Sequence, residues 1–328
     1  MKDKIKKNLS MFLRFGLSGG LLWFIFSKID MAHTIDVLKS ADLTYIIAAG
    51  GVFSCIIGLL LYRWFIFIKA LDLVVPAKDV VKGYFIGLFG NLFLPSAIGG
   101  DFLKVYMLCK NSQQKPRVVA SAILDRLSGF ASIVIVAVCS FTFGYRFIED
   151  TSLLIPIVLM GVGSVGIVTF LFNEKIFSFG SQLFNKIPKF KKSLMNMHYD
   201  IRLMHAHHKE GMMAVGLSCL SQVILASSYY LVAKGLHQEI DLIYFLIFVP
   251  IICVASSFPS IGGLGVREAG SAYLFAKIGV DSGIAVSLTL INFFFVFMVG
   301  LIGGAINVPT LFNRRIQHDA SASCDASV

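Results

Sequence analysis

The sequence predicts an all-α polytopic membrane protein, and three observations carry that expectation. Of its 328 residues, 56% are hydrophobic and only 15% charged, with a mean hydropathy of +0.79, whereas a soluble domain carries roughly 25% charged residues. The charges are also missing in blocks: residues 127–145, 151–173, 211–233 and 282–313 contain none. A bilayer core about 30 Å thick takes about 20 apolar residues of helix, and each block is close to that length or longer. Finally, two further apolar stretches, 83–100 and 242–265, are broken by proline and paired glycines, which a straight span avoids.

In chain order the first element is the stretch at 9–29. Lysines precede it, it is too long for a signal peptide, and it ends in Ser27-Lys28-Ile29-Asp30 without a small-residue cleavage site, so it is expected to stay as a span. Spans are then expected at 43–62, 118–145, 152–173, 211–234 and 283–308. The stretches 83–100 and 242–265 are expected to be re-entrant, giving about six spanning helices plus two broken ones, eight hydrophobic segments in all. A plain span over 83–100 is the alternative. Residues 174–210 mix Lys186, Lys189, Lys191, Lys192 and Arg202 with Phe177, Phe179, Leu183 and Phe184. That pattern reads as a basic amphipathic segment on the anionic leaflet, or simply as a positive cytoplasmic loop. The tail 311–328, rich in Ser, Ala and Asp, is expected to be disordered.

Orientation follows from Lys and Arg. The segments 1–8, 63–82, 101–117, 174–210 and 309–328 carry 21 of them, against six in the other connections. The basic set is expected on the cytoplasmic side, with both termini. A bacterial cytoplasmic membrane fits this layout. Both ends of 83–100 then face inward and both ends of 242–265 face outward, so 1–150 and 151–310 read as two units of opposite topology. Phe93-Leu94-Pro95-Ser96-Ala97-Ile98-Gly99-Gly100 resembles Phe258-Pro259-Ser260-Ile261-Gly262-Gly263, with the two prolines half a chain apart. Broken helices at matching places in two halves are the sequence mark of an inverted-repeat transporter and point to its binding site.

The same observations exclude other classes. No polar connection exceeds about 40 residues, too little for an ordinary soluble catalytic domain. The net charge of +10 lies in loops between spans, so orientation accounts for it and nucleic acid is not expected. Cys55, Cys109, Cys139, Cys219, Cys253 and Cys324 are scattered singly, without a CxxC pair. His205, His207 and His208 sit in a loop without a carboxylate cluster, so neither a metal nor another cofactor is expected. No Walker loop, nucleophile elbow or HExxH motif occurs.

Three groups of residues carry the chemistry. At Gly99-Gly100-Asp101 the broken segment ends and a helix restarts, with Asp101 available to cap its free N–H groups and Lys104 one turn on. A helix start at membrane depth is an anion site. Its counterpart is Gly262-Gly263-Leu264-Gly265-Val266-Arg267-Glu268, where a short helix begins and runs to about Lys277. Glu268 suits the positive helix end; Arg267 does not, which implies a bound anion or a carboxylate from elsewhere. Asp125-Arg126 lies inside a span, where each charge costs about 2.5–3.5 kcal/mol on insertion scales. Adjacent helical residues point about 100° apart, so each needs a partner from another element. Arg126 is expected to meet Asp101 or a ligand phosphate, and Asp125 to meet Lys104 or Arg267. An ion-pair brace of the broken segments is the alternative role. Arg14 lies near enough to the surface to snorkel. Asn91 and Asn292 are expected to bond between helices, and the Phe-rich run 293–297 to pack or face lipid.

Taken together, Phe93-Leu94-Pro95 leading to Gly99-Gly100-Asp101, then Asp125-Arg126, then Pro259 with Gly262-Gly263-Leu264-Gly265-Val266-Arg267-Glu268, resemble the lysylphosphatidylglycerol synthase transmembrane family, also called flippase-like. The resemblance runs from about residue 10 to 310 in the right order. It implies a membrane region that handles lipids. In the full synthases a separate C-terminal domain attaches lysine, and no such domain is expected after the last span here. The expected function is lipid transport, with the phosphate head group of a phospholipid or polyprenyl-phosphate-linked lipid held between the two re-entrant segments. Gly99, Gly100, Asp101, Lys104, Arg126, Gly262, Gly263, Gly265 and Arg267 would line that site, while Asp101, Asp125 and Glu268 would balance charge or accept a proton. The other readings are a non-transporting accessory protein presenting lipid-linked substrate to a glycosyltransferase or lipid-modifying enzyme, and an integral-membrane enzyme acting on lipid phosphate.

Overall fold

The computed structural model describes residues 31–93, 99–112, 114–144, 207–256 and 263–325, with Ser27 and a few positions between 158 and 177. Most of the spans expected at 9–29 and 152–173, most of the 174–210 loop, Arg14, Pro95, Pro259, His205 and Gly262 lie outside the described residues. The described elements are helical: α1 (Met31–Lys39), α2 (Leu43–Ala70), α3 (Ala77–Phe93), α4 (Gly99–Asn111), α5 (Lys115–Gly144), α6 (His208–Gly235), α7 (Leu242–Ala255), α8 (Val266–Ala276) and α9 (Ser282–Asp325). Four are long and apolar enough to cross a membrane: α2, α5, α6 and Ser282–Ala305 of α9.

Side chains fix where several helices start. Asp42 accepts the Thr44 N–H at 2.8 Å before α2, and Asp281 accepts the N–H groups of Gly283 and Ile284 at 2.8 and 3.3 Å before α9. Both carboxylates satisfy donors that a helix start leaves open. At the other end, α9 continues over 311–325, where the sequence reading placed a disordered tail. No glycine or proline follows Pro309 to stop it.

The two broken segments form helical hairpins. In the first, α3 and α4 run antiparallel: Gly83 abuts Leu108, and Gly87 abuts Gly100 and Lys104. In the second, α7 returns as α8, with the rings of Phe245 and Phe275 5.3 Å apart and Ile252 beside Gly270. Pro250 does not cause that break; it lies inside α7, and the helix ends only at Ala255. Among the described elements the order long helix, hairpin, long helix occurs at α2, α3–α4, α5 and again at α6, α7–α8, α9.

Packing between the two halves is reciprocal. Helices α2 and α6 pack along each other, α5 packs on α7 of the second hairpin, and α9 packs on α3 of the first. Two apolar clusters result. One gathers Trp64, Phe67, Leu71, Val80, Tyr84, Leu108 and Leu124 around the first hairpin. The other gathers Tyr229, Val232, Phe245, Phe248, Phe275, Ile284 and Leu288 around the second. Helices α2, α5 and α6 contribute to both. Between those contributions α5 buries Ser121, Asp125, Ser128 and Ser132, spaced so that they share one helical face. Helix α6 buries Ser218, Ser221 and Ser228. Asn292 bonds between helices as expected, accepting from Ser228 at 3.0 Å.

Candidate functional site

A cavity of about 360 Å³ lies between the hairpins. The first hairpin supplies Tyr84, Gly87, Asn91, Asp101 and Lys104, the second Cys253, Ser256 and Gly263. Arg63 enters from α2, Asp125 and Arg126 from α5, and Phe293 from α9.

The first hairpin owes its shape to close backbone approach. A Cβ on Gly100 would lie 2.1 Å from the Gly87 carbonyl oxygen and 2.4 Å from Asn91 Oδ1, so the arms meet at a distance only glycine permits. Asn91 Oδ1 accepts the Gly100 N–H at 3.0 Å. The capping expected of Asp101 therefore falls to Asn91 on the facing arm, and α4 starts at Gly99. The Asp101 carboxylate is spent elsewhere: it accepts from Arg126 Nε and lies 3.6 Å from Lys104 Nζ.

Lys104 is the hub. Its Nζ donates to Asp125 Oδ2 at 2.8 Å and sits over the Trp64 ring at 4.4 Å, with Tyr84 at 5.8 Å. The Trp64 indole N–H is 3.3 Å from Ser121 Oγ, which holds the ring in place. Each Asp125 oxygen is committed, Oδ2 to Lys104 and Oδ1 to Arg63 Nε at 2.7 Å, while Arg63 Nη1 donates to Ser218 Oγ at 2.8 Å. Five charged side chains from three elements thus form one chain, running Arg126, Asp101, Lys104, Asp125, Arg63. Arg126 meets Asp101 and Asp125 meets Lys104, the pairings that their depth predicts.

Arg63 is the residue that sequence reasoning missed. The reading ended the second span at 62 and assigned Arg63 to a cytoplasmic loop; the helix continues to Ala70 and Arg63 is buried. Lys104, assigned to the next basic connection, is buried as well. An interior arginine after a long apolar run was the available signal, since such a charge faces protein or a wet cavity and takes a partner.

The second hairpin differs from expectation in one respect. Gly263 and Gly265 adopt φ of 82° and 88°, a region in which other residues are strained. Glu268, fully buried, turns back and accepts the Gly265 N–H at 2.6 Å. The Gly265 N–H at the start of α8 is therefore taken by the helix's own carboxylate. Arg267 Nε lies 3.4 Å from Glu268 Oε1, the guanidinium stacks on Phe293 at 4.8 Å, and Nη2 is buried without a hydrogen-bond partner among the described residues. Arg267 thus stands behind Phe293 instead of lining the cavity. His208 opens α6, and His207 lies 3.8 Å from Glu210. Replacing Gly265, at φ 88° and ψ −54°, with Ala is expected to cost about 1–3 kcal/mol from backbone strain alone, measured as a fall in the thermal unfolding midpoint in detergent.

These features define a class: a polytopic α-helical membrane protein built of long apolar helices and two helical hairpins around an ion-lined cavity. Within that class the chain belongs to the lysylphosphatidylglycerol synthase transmembrane-region family, whose model matches residues 11–304. It is 25% identical, over 341 aligned positions, to a UPF0104 membrane protein of Pyrococcus horikoshii, covering 95% of this chain and 98% of that one. No solved structure matches it.

Proposed function

We propose that this chain binds the phosphate-bearing head group of a membrane lipid in the cavity between its hairpins and moves that lipid between leaflets. One observation carries the reading: the lining is itself amphiphilic. Arg63, Lys104, Arg126, Asp101 and Asp125 form its charged part, and Leu60, Leu88, Leu92, Phe130, Ile133 and Val296 its apolar part. Among the described lining residues the three cations outnumber the two carboxylates, so an anion completes their charge balance in a low-dielectric site. The volume suits a head group, at the lower end of small-molecule sites, and leaves the acyl or prenyl tails beside the apolar helices. In this reading the hairpins are re-entrant, the two halves are inverted repeats, and exchange between them gives alternating access. The membrane is the bacterial cytoplasmic one, with both termini inside.

Arg126 is the cation placed to meet the ligand, because its side chain is 39% exposed where those of Arg63 and Lys104 are 9% and 4%. Native mass spectrometry of protein extracted gently from its own membrane tests this. Wild type is expected to retain a phosphate lipid, and Arg126→Gln to lose it by at least about tenfold, the scale of one charge-assisted hydrogen bond. Identical lipid retention by both proteins would overturn the reading. Vesicle assays with the retained lipid then separate transport from mere presentation to an enzyme: a protein that binds without accelerating flipping is the accessory protein.

A further inference from the structure

We infer that Asp101 is the specificity determinant of the cavity: it holds the lining to one net positive charge, so that a monoanionic phosphodiester head group is taken in preference to a phosphomonoester dianion or a diphosphate. This rests on the anion-binding reading above and narrows it. Among the described residues, three cations and two carboxylates line the cavity, and the other titratable residues in its lining are Tyr84 from α3 and Cys253 from α7. No histidine lines the cavity among the described residues. Arg267 and Glu268 form a couple of zero net charge behind Phe293. One negative charge on the ligand therefore brings the lining to neutrality. Two leave an excess anion in a site with little water to stabilise it.

The two carboxylates are not equivalent. Asp125 has an oxygen on each of Arg63 and Lys104, at 2.7 and 2.8 Å, and its side chain is 6% exposed. Asp101 shares Arg126, the most open cation, and lies farther from Lys104, at 3.6 Å. A phosphate that reaches Arg126 competes with Asp101 for it, and Asp101 keeps Lys104 as a neighbour when displaced. Neutralising Asp101 removes the competitor and raises the net charge of the lining to two.

The test compares phosphatidylmethanol, a phosphodiester, with phosphatidic acid, a phosphomonoester, both with the same acyl chains, on the full chain in detergent by native mass spectrometry. At pH 8 wild type is expected to prefer phosphatidylmethanol by at least about tenfold, or about 1.4 kcal/mol. A phosphomonoester takes up its second proton near pH 6. The preference is therefore expected to shrink toward parity at pH 5.5 through gain of phosphatidic acid binding, while phosphatidylmethanol binding holds steady. Asp101→Asn is expected to bind phosphatidic acid at pH 8 at least as well as phosphatidylmethanol. Equal binding of both lipids by wild type, or a preference that neither pH nor Asp101→Asn moves, overturns the charge filter and leaves the anion site standing. Wild type that binds neither lipid overturns the anion site itself, and the filter with it. The pH comparison uses wild type alone, so it decides the matter even where the variant does not fold.

Discussion

Asp125→Asn is expected to destabilise the protein by about 3–5 kcal/mol, because it leaves two buried cations sharing a neutral amide. Asp125 is 4% exposed overall and accepts from Arg63 on α2 and Lys104 on α4. Its single negative charge thus ties the first hairpin to two long helices. The substitution keeps the shape and removes only the charge, so lost packing does not enter. Arg63→Gln added to Asp125→Asn removes one stranded cation and is expected to recover part of the loss, by roughly 1–3 kcal/mol of coupling. Denaturant or thermal unfolding in detergent reads both values. An Asp125→Asn protein as stable as wild type would mean that water or lipid, and not the carboxylate, satisfies the two cations.

The second large effect falls on Gly100. A methyl group there would sit 2.1 Å from the Gly87 carbonyl oxygen and 2.4 Å from the Asn91 amide oxygen. The first is backbone and the second is held by its bond to the Gly100 N–H, so the arms of the hairpin must separate. Overpacking of this kind costs about 1–3 kcal/mol, occasionally more. The larger consequence is positional, since Gly100 precedes Asp101, and the displacement pulls that carboxylate off Arg126 and opens the cluster. Gly100→Ala is expected both to unfold earlier and to lose lipid retention. Gly58→Ala is the matched control: its added methyl group meets nothing within 4 Å, and alanine favours a helix over glycine by up to about 1 kcal/mol. Gly100→Ala behaving like that control would show that the arms separate without cost to the site.

Much of this arrangement was legible in the sequence. The lengths of the apolar blocks placed α2, α5, α6 and α9, and the paired Pro and Gly motifs placed the breaks in both hairpins. The cost of a charge inside a span singled out Asp125 and Arg126, and the need of each for a partner on another element led to Asp101 and Lys104. Arg63 escaped because a span boundary drawn at the first charge treats arginine as the end of a helix. Its burial depends on a carboxylate 62 positions away, a distance no local window reaches. The filling of the α8 start by Glu268 was half legible, since a carboxylate suits a positive helix end. That it reaches the Gly265 N–H depends on the turn at Gly263 and Gly265. Asn91 replaced Asp101 as the cap for a similar reason: two glycines bring the facing arm within bonding distance, and local spacing gives no sign of it.

The reciprocal packing has a consequence for how the chain is made. The first hairpin is covered by α9, which the ribosome adds about 200 residues later, some tens of seconds at 5–20 residues per second. Throughout that interval the cations of the first half, already inserted, lack the wall that completes their surroundings. The second hairpin finds α5 already in place when it emerges, and α9, which packs on its α8 arm, follows it directly in the chain. Biogenesis is thus polarised in time although the packing is balanced in space. A nascent chain interrupted before Ser282 lacks Phe293 and Val296, the part of the cavity wall that α9 supplies beside the ion cluster.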